Sequence, residues 1–150
     1  MLATILYDKT SRLYKTFIDR ALATDVVVYC YQLKDPALFQ SFVTLAPKVT
    51  HERAENLLKE TYREIAEDGV TAAELASAKQ SWRLYRAHRL DGPYALLSSI
   101  NEDLATGDWT RFVTLPEAIA NVSRADVRRI ARTYFTDDQS TVGWFVAKNT

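Results

Sequence analysis

Along the chain the spacing of apolar residues changes several times, and each change marks a new element. Leu2, Ile5 and Leu6 recur at helical spacing and stop at Asp8-Lys9, so the chain reads as opening partway through a helix. From Ser11 a second short helix is expected, with Leu13, Tyr14, Phe17 and Ile18 on one side and charges on the other. The next two runs differ in kind. "DVVVYCYQL" is β-branched and aromatic, and in "ALFQSFVTLAP" Phe39, Ser41, Val43 and Leu45 alternate with Gln40, Phe42, Thr44 and Ala46, so both read as strands. The intervening "KDP" suits a turn, which predicts an antiparallel pair.

Helical spacing returns at Thr50: Ala54, Leu57, Leu58, Tyr62 and Ile65 form one apolar face, and Gly69 fits the position just past its C-terminus. "TAAEL" is a capping box, Thr71 with Glu74, opening a helix through Leu75, Trp82 and Tyr85. Two long helices so closely joined are expected to pack as a hairpin. Gly92-Pro93 restarts the chain into a helix with Leu96, Leu97, Ile100 and Leu104, which stops near Gly107. "TLPEAI" and "SRADV" each read as a helix start, the second capped by Ser123 with Asp126 at the third helical position. "STVGWFVA" reads as a last strand.

The pattern therefore predicts an α+β fold, an antiparallel or mixed sheet with several helices packed on one face. Three strands make a thin sheet for so many helices, and with an opening in mid-element this leads to the expectation that further strands belong ahead of Met1. No repeat, low-complexity segment or composition break marks a linker, so residues 1–150 are read as a single, partial domain.

Composition narrows the classes of partner. Lysine plus arginine balance aspartate plus glutamate at 19 each, so no global field draws in nucleic acid or an anionic membrane. The apolar runs break within about eight residues, against the ~20 a bilayer requires, which argues against membrane insertion. Cys30, the only cysteine, lies in an apolar run and is expected to pack as a small hydrophobe, with intermolecular pairing the lesser alternative. The first residues lack the basic region and cleavage site of a signal peptide.

Candidate chemistry is sparse. "VTHERAENLLKE" begins like the zinc-protease signature His-Glu-x-x-His, but Glu55 stands where the second histidine belongs. His51 is better explained as the first helical residue after a Thr50 cap, with Glu52 favoured by the helix dipole. His88, the other histidine, lies near a helix C-terminus, where a basic residue is also favoured. A zinc site built from His51, Glu55 and His88 is the minor reading. No nucleophile elbow or glycine-rich phosphate loop is present. "RLYRAHRL", with Arg83, Arg86, His88 and Arg89, reads as a solvated helix face before it reads as a site for an acidic partner.

Taken in order, "TSRLYKTFIDRALATDVVVYCYQLKDPALFQSFVTLAPKVTHERAENLLKE", "GVTAAELASAK", "GDWTRFVTLPEAIANVSRADVRRIARTYF" and "TVGWF" resemble the pitrilysin/insulinase family of zinc metallopeptidases, from Leu2 to Phe145. The resemblance implies repeated α+β domains, one carrying His-x-x-Glu-His on a helix and a sister of similar fold lacking the metal, closing together around an unfolded peptide. This chain corresponds to the later two-thirds of one such domain. It contains no His-x-x-Glu-His, so no cofactor is expected in it, and Zn2+ is expected in the catalytic sister domain. In active members the sister domain also lends an arginine and a tyrosine to the transition state. The tyrosine position falls on Thr24 and the arginine at or near Phe17 or Ile18, with Arg20 displaced from the matching place.

The resemblance thus implies a noncatalytic domain, inactive alone, that forms one wall of a peptide chamber and supports a metal-bearing domain or subunit in proteolysis. Its strand edge is expected to receive an extended peptide by β-augmentation, or to be filled by another copy of the chain or by a lost segment. The rival is a structural assembly subunit, related to processing-peptidase core proteins, with no proteolytic role. Localisation stays open between the periplasm and the cytoplasm of a bacterium.

Overall fold

The computed structural model describes residues 1–146. Two short helices, α1 (Leu2–Tyr7) and α2 (Arg12–Phe17), lead into an antiparallel pair, β1 (Ala23–Cys30) and β2 (Phe39–Leu45). Five helices follow: α3 (His51–Asp68), α4 (Ala72–Arg89), α5 (Pro93–Ala105), α6 (Arg111–Asn121) and α7 (Arg124–Tyr134), and then a single 3-10 turn, Asp137–Gln139. The α+β arrangement is the one the pattern predicts.

Local chemistry starts the helices where the sequence says it should. Ser11 Oγ accepts from the Tyr14 amide, and Thr50 Oγ1 accepts from that of Arg53 at 3.3 Å. Thr71–Glu74 and Ser123–Asp126 form complete capping boxes, each satisfying two first-turn amides. Gly69, at φ 77°, ends α3 in a left-handed conformation that a side chain would strain.

The core forms where α1, α2, β1, α3, α4 and α7 meet. Leu6, Leu13, Phe17 and Ile65 are fully enclosed, with Val28, Val70, Leu75, Ala78, Val127 and Ala131 around them. Strand alternation works as expected on β2, where Phe39, Val43 and Leu45 pack against this core. At one end Phe39, Tyr62 and Phe135 form an aromatic corner, with Tyr62 stacked on Phe135 at 4.4 Å between centroids. Burial pushes the Tyr62 phenol up to about 12, and its hydroxyl is paired with that of Ser41.

Four expectations need correction. The last strand does not form: residues 141–146 belong to no ladder, so the sheet among the described residues is two-stranded. Ala147, the end of that predicted strand, lies outside the described residues. The segment's hydrogen bonds instead go to α3. The second correction concerns the hairpin. α3 packs chiefly on α7, whose Val127 and Ala131 cover its face, while α4 turns Leu75 and Ala78 toward α1, to which Ser81 Oγ also donates at Asp8, 2.7 Å.

Cys30 is exposed rather than packed, because it ends β1 opposite Phe39, where the ladder runs out. Finally, α6 begins a turn before "TLPEAI", which places Pro116 inside the helix. Proline cannot donate to the carbonyl four residues back, that of Phe112. Arg86 supplies the missing donor: its guanidinium bonds the Phe112 carbonyl at 2.6 Å and lies over the Phe112 and Trp82 rings. Arg86→Met should therefore cost about 1–3 kcal/mol, the range for a half-buried group left unpaired, read as a lower urea midpoint at unchanged slope.

Candidate functional site

The positions matched to the family's arginine and tyrosine lie on either side of the α2–β1 connection. Phe17, the last residue of α2, is 0% exposed, and its carbonyl accepts from Leu22. Ile18 caps the helix and packs against the core. Thr24 is exposed and falls in the irregularity between Ala23 and Asp25, where the register skips one residue. Its hydroxyl donates to the Thr44 carbonyl at 3.3 Å. A ring enclosed in the core and a hydroxyl spent on the neighbouring strand present no cationic or phenolic donor to a substrate.

The metal-like stretch is engaged elsewhere. His51 and Glu55 stand one turn apart on α3, and the segment after the 3-10 turn lies against both. The His51 ring stacks on Trp144 at 5.6 Å, and its Nε2 is 3.2 Å from the Phe145 carbonyl oxygen. Trp144 Nε1 donates to Glu55 at 3.0 Å, and Lys59 pairs with the same carboxylate at 2.8 Å, so the Glu55 carboxyl is held below its ordinary range, mainly by Lys59. This tryptophan clasp was hidden in the sequence, because "TVGWF" carries strand composition and its contacts reach back some ninety residues.

His88 is exposed on α4 and joins neither His51 nor Glu55. Among the described residues, no three of histidine, cysteine, aspartate or glutamate come together as a metal-holding group. Nor is "RLYRAHRL" an open basic face. Arg86 is committed to Phe112, and Arg89 pairs with Glu102 at 2.6 Å while donating to Ser99 and to the Tyr85 hydroxyl. Of its four basic residues, Arg83 and His88 stand exposed.

An α+β domain with no metal-holding group among its described residues is what the fold and these positions define. Residues 1–81 match the family described as Peptidase M16 inactive domain, and the chain belongs to that family. It is similar to a "putative zinc protease" from Bordetella pertussis Tohama I: 27% identity, 98% of this chain and 82% of that one covered, TM-score 0.85. It is likewise similar to the inactive peptidase domain of a "putative zinc protease" from Bordetella parapertussis, at 26% identity, 99% and 80% coverage and TM-score 0.87. A protease from Helicobacter pylori shares the fold, at 21% identity and TM-score 0.85 over 92% of this chain and 34% of that one. No curated protein matches the chain closely enough to count as a relative.

The resemblance seen in the sequence is thus a family membership, and the α+β fold it implied is the one observed. The chain is an inactive, peptidase-like domain.

Proposed function

We propose that this chain is the noncatalytic part of a zinc metallopeptidase: it forms one wall of a chamber that holds an unfolded peptide and supports a metal-bearing sister domain. Zn2+ belongs to that sister, on the same polypeptide or on a separate subunit. Membership of an inactive-domain family carries the reading. The enclosed Phe17 and the strand-bound Thr24 support it, since the places matched to an assisting arginine and tyrosine are given over to packing and to the bulge. The two-stranded sheet also leaves one side of each strand outside the ladder, where an extended peptide can add main-chain hydrogen bonds. We take residues 1–150 as one partial domain of this assembly.

The test combines the purified chain with a metal-bearing domain of the same parent peptidase and follows cleavage of an unstructured peptide. The chain alone should leave the peptide intact. Added to the catalytic domain it should raise turnover by about tenfold or more, equivalent to ~1.4 kcal/mol off the barrier. Binding to the catalytic domain with no change in cleavage would turn the assignment toward the structural assembly subunit. Neither binding nor effect would refute both.

A further inference from the structure

A groove runs between α3 and α7, lined by Arg63, Ala66 and Glu67 on one side and Arg128, Arg132 and Phe135 on the other, with a volume of about 340 Å³. We propose that it binds a small multivalent oxyanion of the phosphate or polycarboxylate class.

Three guanidinium groups against one carboxylate leave the groove two positive charges in excess, in a chain whose charges cancel as a whole. Arg128 and Arg132 stand four residues apart on α7, a spacing at which like charges repel. No ion pair relieves them: among the described residues, Glu67 is paired with none of the three, and none has a carboxylate partner elsewhere. Five arginines elsewhere in the fold are committed. Arg12 holds Glu74, Arg89 holds Glu102, Arg129 holds Asp126, Arg86 holds the Phe112 carbonyl and Arg111 donates to Gln32. Arg20, Arg53, Arg83 and Arg124 also have no such partner among the described residues, and what sets Arg63, Arg128 and Arg132 apart is that they line one groove.

The setting suits a ligand. The floor is fixed, because Phe135 is stacked on Tyr62 and meets Phe39 edge-on. Arg128 is anchored along its stem, which runs beside Gly69. The volume lies near the small end of the ~300–1,000 Å³ typical of small-molecule sites. Planar guanidinium forks pair two-to-two with phosphate or carboxylate oxygens, and Ala66 and Phe135 give the groove an apolar floor. Glu67 opposes an anion, and its removal is therefore the most informative change.

Isothermal titration of the whole chain with inorganic pyrophosphate, inorganic phosphate and citrate, at an ionic strength held constant with NaCl, tests the assignment. One-to-one binding of at least one of these is expected. The double variant R128Q/R132Q should weaken it on the order of tenfold or more, and Glu67→Gln should tighten it about threefold. A preference for pyrophosphate over citrate assigns a phosphoryl ligand, and the reverse a carboxylate one. All lined arginines are exposed, so the variants should keep the native circular dichroism; if the double variant does not, Glu67→Gln alone decides. Heats no larger than those of NaCl, or affinity unmoved by these substitutions, would overturn the proposal.

Discussion

Phe17→Arg is expected to unfold the domain, whereas Thr24→Tyr should leave its stability within about 0.5 kcal/mol. These substitutions introduce, at Thr24 and at one of the two positions, Phe17 or Ile18, matched to the arginine, the side chains that the resemblance implies for active members. Removing the Phe17 ring alone, as in Phe17→Ala, should cost ~3–5 kcal/mol, because the site is 0% exposed and ringed by Leu13, Leu6 and Ile65 in one cluster. Arginine adds the burial of an unpaired charge, and the sum rivals the ~5–15 kcal/mol that holds a domain of this size together. Thr24 faces solvent at the strand irregularity, so a phenol there meets no packed neighbour and gives up only one long hydrogen bond. Urea unfolding followed by circular dichroism measures both. If Phe17→Arg folded with the midpoint of the parent chain, Phe17 would not be a core residue.

The contrast bears on how an inactive domain arises and stays inactive. Two positions a few residues apart, on either side of one connection, carry different constraints. At Thr24 a phenol is expected to be tolerated, while at Phe17 the core encloses the side chain. An arginine at Phe17 would have to displace a packed ring, so accepting one there would require α2 to be rebuilt.

What the sequence disclosed was mostly local. The caps at Thr50, Thr71 and Ser123 are decided within three residues, and each forms as read; Ser11, read only as a helix start, caps as well. The antiparallel pair follows from alternation and a short turn, and its register matches the side of β2 that packs inward. The failures are all non-local. "TVGWF" has strand composition, but a strand exists only beside another, and here Trp144 finds Glu55 and His51 instead. A tight joint between α3 and α4 says nothing about which faces meet; α7 takes one and α1 the other. Pro116 looked like a helix start because proline in mid-helix leaves a carbonyl bare, and the remedy, Arg86, lies on a different helix. The family positions were placed from sequence, but that Phe17 is enclosed and Thr24 bonded across the sheet depends on partners that spacing does not reveal.

Glu74→Ala is expected to destabilise the domain by about 2–3 kcal/mol near neutral pH, since one carboxylate there serves two structures. Its Oε2 accepts the Thr71 amide at 2.7 Å, closing the α4 capping box, while Arg12 grips both oxygens, Nε to Oε1 at 2.8 Å and the terminal nitrogen to Oε2 at 3.2 Å. The same Arg12 nitrogen donates to the Gly69 carbonyl at 3.0 Å, so α2, the end of α3 and the start of α4 are joined at one point. The Arg12 guanidinium is the main reason the Glu74 carboxyl falls from an ordinary 4.5 to about 2. A folded-state value below the unfolded one means that the folded chain resists protonation, so this stabilisation is complete above about pH 4.5 and is lost as pH falls toward 2. Urea midpoints of the parent chain and of Glu74→Gln should therefore differ at pH 7 and converge near the acid end, whatever the other carboxylates do in both. A gap that stayed constant with pH would mean that the neutral geometry, and not the charge, does the joining.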